Sequence, residues 1–85
     1  MSRVTEVYAR EFESVFFKLP SHVREAIETK IHQLGSRLGD YPHQRLTGRP
    51  EYRLRVGDYR VIYEFDREKN VLYLIAVGNR RGIYR

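Results

Sequence analysis

The sequence predicts an α+β fold of order β-α-α-β-β-β, with two N-terminal helices packed on one face of a mainly antiparallel sheet. Three observations lead there. Apolar residues recur at helical spacing from Phe12 to Leu38. From Tyr52 onward they alternate instead, with the period of half-buried strands. Between Val56 and Tyr59, the pair Gly57-Asp58 has the composition of a two-residue hairpin loop.

Each element follows in order. Arg3-Val4-Thr5-Glu6-Val7-Tyr8 alternates weakly and holds β-formers, which predicts a short opening strand. From Ala9 the period changes: Phe12, Val15, Phe16 and Leu19 predict a short amphipathic helix ending near Leu19-Pro20. Ser21 is placed to cap a second helix, and its apolar stripe runs through Val23, Ala26, Ile27, Lys30, Ile31, Leu34 and Leu38. Gly39-Asp40-Tyr41-Pro42 ends that helix, and residues 41–51 carry turn chemistry throughout, as a linker does. Strands are expected at 52–56, 59–65 and 70–77, with a hairpin loop over 66–70. Val71 to Val77 is apolar on both faces, which suits an interior strand. Gly78 to Arg85 is a basic tail.

Eighty-five residues make one domain, 1–85. There is no cysteine, so neither a disulfide framework nor a thiolate metal site is available, which fits a reducing cytoplasm. No stretch approaches the ~20 apolar residues of a membrane span, and the expected location is cytoplasmic, away from membranes. The net charge of +5 is unevenly placed. Acids and bases cancel over residues 1–44, so the whole excess lies in 45–85, where nine of ten bases are arginine. Arginine presents a planar fork matched to phosphate, and an arginine- and tyrosine-rich half is a nucleic-acid footprint. A basic surface complementary to an acidic protein is the other reading of the same composition.

Arg53, Arg55 and Arg60 flank the Gly57-Asp58 loop. On a strand Arg53 and Arg55 share one face, while Tyr52, Leu54 and Val56 share the other. The two-residue loop predicts pairing of Val56 with Tyr59, Arg55 with Arg60 and Leu54 with Val61. Two arginines then face each other with a third beside them, on the sheet face left open by the helices. Like charges placed opposite destabilise a ladder, so the arrangement implies an anion, and a phosphodiester backbone fits.

Three segments together carry a family likeness: Leu46-Thr47-Gly48-Arg49-Pro50, then Tyr52 to Tyr63, then Val77-Gly78-Asn79-Arg80-Arg81-Gly82-Ile83-Tyr84-Arg85. With the helical hairpin before them, they resemble the RelE/ParE toxin superfamily, and most closely its RelE-like branch. The resemblance implies a cytoplasmic toxin of a type II toxin–antitoxin pair that cleaves messenger RNA on the ribosome, without metal or other cofactor. Its implied partners are the ribosome, mRNA and a cognate antitoxin, acidic and partly disordered; ParE-like relatives act on DNA gyrase instead. By position, Arg53 and Arg55 match the family's basic pair on its second strand, and Arg60 the arginine opening the third. Arg80 matches the arginine after the Val-Gly motif, and Tyr84 the tyrosine near the end.

Metal-free RNA cleavage proceeds by attack of a 2′-hydroxyl on the adjacent phosphorus. It needs a proton acceptor, charge for the transition state and protonation of the leaving 5′-oxygen. Arg60, with Arg55 or Arg80, is expected to clamp the scissile phosphate; Tyr84 stacks on a displaced base or exchanges a proton. Several RelE-type toxins have lysines where this chain has Arg53 and Arg55, and arginine does not deprotonate. The proton acceptor is therefore left open between Tyr84, Glu51, a ribosomal group and no discrete base. His43 enters only if the linker folds over the sheet. Arg45, Arg49, Arg81 and Arg85 are expected as peripheral contacts to the RNA backbone. Each choice has a plainer reading: Arg53 pairs with Glu51 or Glu64, Tyr84 packs the tail, and Tyr52, Tyr59, Tyr63 and Tyr73 are core. Two other functions stay open, a ParE-like non-enzymatic gyrase inhibitor and a degenerate toxin that only binds RNA or antitoxin.

Overall fold

The computed structural model describes residues 3–79. Its elements are β1 (Thr5–Tyr8), α1 (Arg10–Phe16), α2 (Ser21–Gly35), β2 (Gln44–Arg45), β3 (Tyr52–Val56), β4 (Tyr59–Asp66) and β5 (Val71–Asn79). The five strands form one sheet in the order β1-β5-β4-β3-β2. Only the β1–β5 pair is parallel; the other three are antiparallel. The α+β architecture expected from the sequence is therefore present, with one additional short strand at the β3 edge.

The helices are shorter and start differently than their patterns predict. α1 stops at Phe16, and its last turn tightens through bonds from Lys18 N–H to Val15 O and Leu19 N–H to Phe16 O. Pro20 disfavours continuation of the helix at the residue before it. The expected Ser21 cap is not formed. Pro20, extended at φ −57 and ψ 149, is the N-cap residue, and its carbonyl accepts from Val23 and Arg24, so Ser21 is already helical. Ile27, Ile31 and Leu34 are the buried face of α2, a stripe narrower than expected because Ala26 and Lys30 are exposed. At its end α2 closely approaches the residue before β1: a Cβ on Gly35 would lie 2.7 Å from Val4 Cγ1.

The main core lies between the helices and the sheet. Phe12, Phe16, Ile27, Ile31, Leu34 and Leu38 pack against Leu54, Val56, Val61, Tyr63, Leu72, Leu74 and Val77. The opposite sheet face is not simply open. Residues 44–45 of the expected linker pair with β3, and Leu46 then buries itself on that face against Ile62 and Ala76, with Ile75 beside them. A register shift between Ile62 and Tyr63 makes this second cluster possible. Ile62 faces Ala76 whereas Tyr63 faces Leu74, so Ile75 is the extra residue of a β-bulge in β5.

Candidate functional site

The β3–β4 hairpin adopts the register read from its loop: Val56 faces Tyr59, Arg55 faces Arg60 and Leu54 faces Val61. Gly57 takes φ +59, whereas Asp58 is not among the residues with positive φ, the pattern of a type II′ loop. Leu54 and Val56 are buried toward the helices, and Arg53 and Arg55, which alternate with them, are exposed on the other side. Arg60 is half-buried, and on its far side stands Gly78, which presents no side chain across the ladder. Next to a two-residue loop the second pair is the non-hydrogen-bonded one, with Cα atoms ~4.5 Å apart and side chains at their closest. Arg55 and Arg60 occupy that position.

The hydrogen bonds of Arg53 and Arg55 go to neutral groups. Arg53 Nε donates to Gln44 Oε1 at 3.2 Å, and Arg55 Nε donates weakly to Gly57 O at 3.4 Å. Among the described residues neither Arg53 nor Arg55 has a carboxylate within ion-pair distance. Neither Glu51 nor Glu64 pairs with Arg53. Glu51 is held by Arg49 at 3.3 Å. It precedes β3, four residues from Arg55, which along a strand is about 13 Å; the fold does not bring it to the Arg55–Arg60 pair.

The other candidate contacts are dispersed. Arg45 faces Tyr52 across the β2–β3 ladder, on the helix side of the sheet, where its Nη2 donates to the Tyr52 hydroxyl and its guanidinium lies 4.8 Å from the ring centroid. Arg49 is neutralised by Glu51. Arg80, Arg81, Tyr84 and Arg85 lie outside the described residues. The structure thus gathers Arg53, Arg55 and Arg60 on one face and turns Arg45 to the other. Among the described residues no group of three His, Cys, Asp or Glu side chains is placed to hold a metal ion. No described helix is long and apolar enough to cross a membrane.

His43 is a residue whose role the sequence hides. Its ring stacks on Phe65 at 4.3 Å between centroids, within an aromatic cluster that includes Tyr41, Tyr52 and Tyr63. Leu38 O, an acceptor only, lies 2.9 Å from Nε2, so that nitrogen carries the proton. Nδ1 then accepts from the Tyr63 hydroxyl at 2.7 Å. Tyr63 is fully buried, and this burial, reinforced by Tyr41 and Tyr52, pushes its phenol pKa well above the usual 10.0. It remains a neutral donor. The network ties the segment after α2 to the centre of the sheet, on the face away from the arginines, and His43 is no proton acceptor for chemistry on theirs. His32, on α2, lies 3.3 Å from Glu6 of β1, another contact within the frame.

A family model described as the ParE toxin of type II toxin–antitoxin systems, parDE, matches residues 7–84. No curated protein matches the chain in sequence. Among solved structures, a chain of the intact E. coli RelBE toxin–antitoxin complex superposes with a TM-score of 0.75 at 28% identity, covering 89% of this chain and 95% of that one. The isolated E. coli RelE toxin matches with a TM-score of 0.76 at 22% identity, over 89% of this chain and 83% of that one. An archaeal RelE–RelB complex from Pyrococcus horikoshii matches with a TM-score of 0.72 at 20% identity, over 93% and 97% of the two chains.

Proposed function

Since the chain belongs to the ParE toxin family of type II toxin–antitoxin systems, and its fold is RelE-like, we propose that it is a ribosome-dependent mRNA endonuclease. The observation that carries this reading is the Arg55–Arg60 cross-strand pair with Arg53 beside it. A phosphodiester seated over the pair receives two guanidinium forks, and its developing negative charge is stabilised by donors already in place. The RNA's own 2′-hydroxyl releases its proton as its oxygen forms the new bond to phosphorus, and that proton balances the one the leaving group takes up. The bond to the 5′-oxygen breaks, leaving a 2′,3′-cyclic phosphate and a 5′-hydroxyl that takes up a proton. In this reading Arg55 and Arg60 grip the phosphate and Arg53 holds the adjoining backbone. Arg80 and Tyr84 complete the site from the tail, and no metal or cofactor takes part. Arg81 and Arg85 are peripheral RNA contacts, whereas the expected contact at Arg49 is dropped because Glu51 neutralises it, and the chain acts as a single domain in the cytoplasm.

A cognate protein antitoxin is part of the same proposal. Solved relatives include RelE toxins in complex with RelB antitoxins, and exposed Arg53 and Arg55, with no carboxylate in ion-pair distance among the described residues, suit an acidic, partly disordered partner segment. The test is cleavage of mRNA on programmed ribosomes, mapped by primer extension. Removing one preorganised donor in a site of this kind costs roughly 10²–10³ in rate, so Arg55→Ala and Arg60→Ala should each lose about that much while still binding antitoxin. Full cleavage by both variants refutes the assignment. Because the matching family model is that of ParE toxins, inhibition of DNA gyrase is the second reading. A supercoiling assay run in parallel decides between them: gyrase inhibition with intact transcripts favours the second.

A further inference from the structure

We propose that Gln44 is a positioning residue of the arginine face, holding the Arg53 guanidinium in one orientation without cancelling its charge. The inference rests on the phosphate-gripping role given to that face above.

Gln44 is exposed, yet its backbone is fixed on both sides. Over residues 43–46 the side chains alternate between the two faces of the sheet. His43 is bonded to Tyr63 and Leu38 on the helix side. Gln44 faces Arg53, and Arg45 faces Tyr52. Leu46 is 6% exposed and locked against Ile62 and Ala76 on the arginine side. A two-residue strand has little hydrogen bonding of its own to hold it, so the half-buried His43 and the buried Leu46 determine where Gln44 stands. An ordinary surface glutamine has no such frame.

From that position Gln44 Oε1 accepts from Arg53 Nε at 3.2 Å. Arginine has donors on Nε and on both Nη atoms. With Nε engaged from the β2 side, the two Nη groups keep their outward donors for a bidentate phosphate contact, and the plane of the fork is set in advance. The choice of an amide matters. A carboxylate in the same place would hold the guanidinium more tightly but neutralise it, as Glu51 does to Arg49 at 3.3 Å. An amide oxygen orients the cation and leaves its charge available to RNA.

The experiment compares single-turnover cleavage on programmed ribosomes by wild type, Gln44→Leu, Gln44→Glu, Arg53→Ala and the Gln44→Leu/Arg53→Ala double variant. Thermal melts confirm that each variant folds. Gln44→Leu should slow the cleavage step about tenfold through misplacement of Arg53, and should have no further effect in the Arg53→Ala background. Gln44→Glu keeps the shape but cancels the charge. It should instead weaken RNA binding and flatten its salt dependence by about 0.7 in log–log slope, the loss of one phosphate contact. A Gln44→Leu variant as fast as wild type, or one whose defect persists without Arg53, overturns the inference. A protein-only readout separates this from failure of the functional reading. The Arg53 Nε–H resonance should be protected from exchange in wild type and lose that protection in Gln44→Leu. If wild type cuts no RNA, the endonuclease reading fails, and unchanged protection in Gln44→Leu then overturns the Arg53–Gln44 contact on its own.

Discussion

Replacing Tyr63 by phenylalanine isolates the hydrogen bond that ties β4 to the segment after α2. The two side chains differ by one hydroxyl, so the aromatic packing against Tyr52 and Phe65 is retained, and no cavity larger than an oxygen atom is opened. What is lost is the 2.7 Å bond to His43 Nδ1. That nitrogen is left as an acceptor inside an aromatic cluster, while Nε2 stays engaged with Leu38 O. Leaving a buried acceptor unsatisfied costs about 1–3 kcal/mol. His43 is half-buried, which places the effect at the lower end, about 1–1.5 kcal/mol. For a domain of this size each kcal/mol shifts the melting temperature by roughly 4–8 °C, so Tm should fall by roughly 4–12 °C. Urea denaturation should show the same loss with an unchanged m-value. A Tyr63→Phe protein as stable as wild type would mean that the contact contributes nothing in solution, and the reasoning that makes it the anchor of β2 would fail with it.

Two further outcomes follow from the same geometry. The folded state holds Tyr63 neutral above its usual pKa of 10.0, whereas the unfolded chain ionises it there. The unfolded state therefore binds fewer protons above pH 10, and stability falls with rising pH by up to about 1.4 kcal/mol per pH unit from this group. Its contribution is fully present below pH 10; denaturation series at pH 8 to 11 should show the decline in wild type and a shallower one in Tyr63→Phe. Arg45→Ala should leave ribosomal cleavage at the wild-type rate, because Arg45 stands over Tyr52 on the face away from Arg53. A rate loss comparable to that of Arg55→Ala in the same mapping assay would place RNA on both faces and contradict this geometry.

The parts of the molecule legible in the sequence are those governed by a period. The β3–β4 register followed from strict alternation around a loop whose glycine supplies the positive φ, and Arg53, Arg55 and Arg60 fell on one face as a consequence. The strand β2 was not legible, because two residues cannot display a period and Pro42 and Gly48 on either side read as turn chemistry. Missing β2 meant missing that Leu46 covers the second sheet face and that Gln44 reaches Arg53. His43 was hidden for another reason. Its partner Tyr63 is twenty residues away, and nothing local distinguishes a loop histidine in solvent from one that bonds into a core. The Ser21 cap failed because a residue with the right capping chemistry followed a proline whose own fixed φ already turned the chain. The bulge at Ile75 left no trace in a segment that is apolar at every position.

The Arg55–Arg60 register is set by the core beneath it. Leu54, Val56, Val61 and Val77 are buried directly under the arginines, on the helix side of the same strands. A one-residue slip of the hairpin would relieve the repulsion, but it would also turn Leu54 and Val56 out to solvent, and the loss of apolar burial exceeds what separating two screened charges returns. The side-by-side placement of the two cations is therefore imposed by the apolar register of the hairpin. An anion that binds this face in the folded state alone raises its stability by linkage.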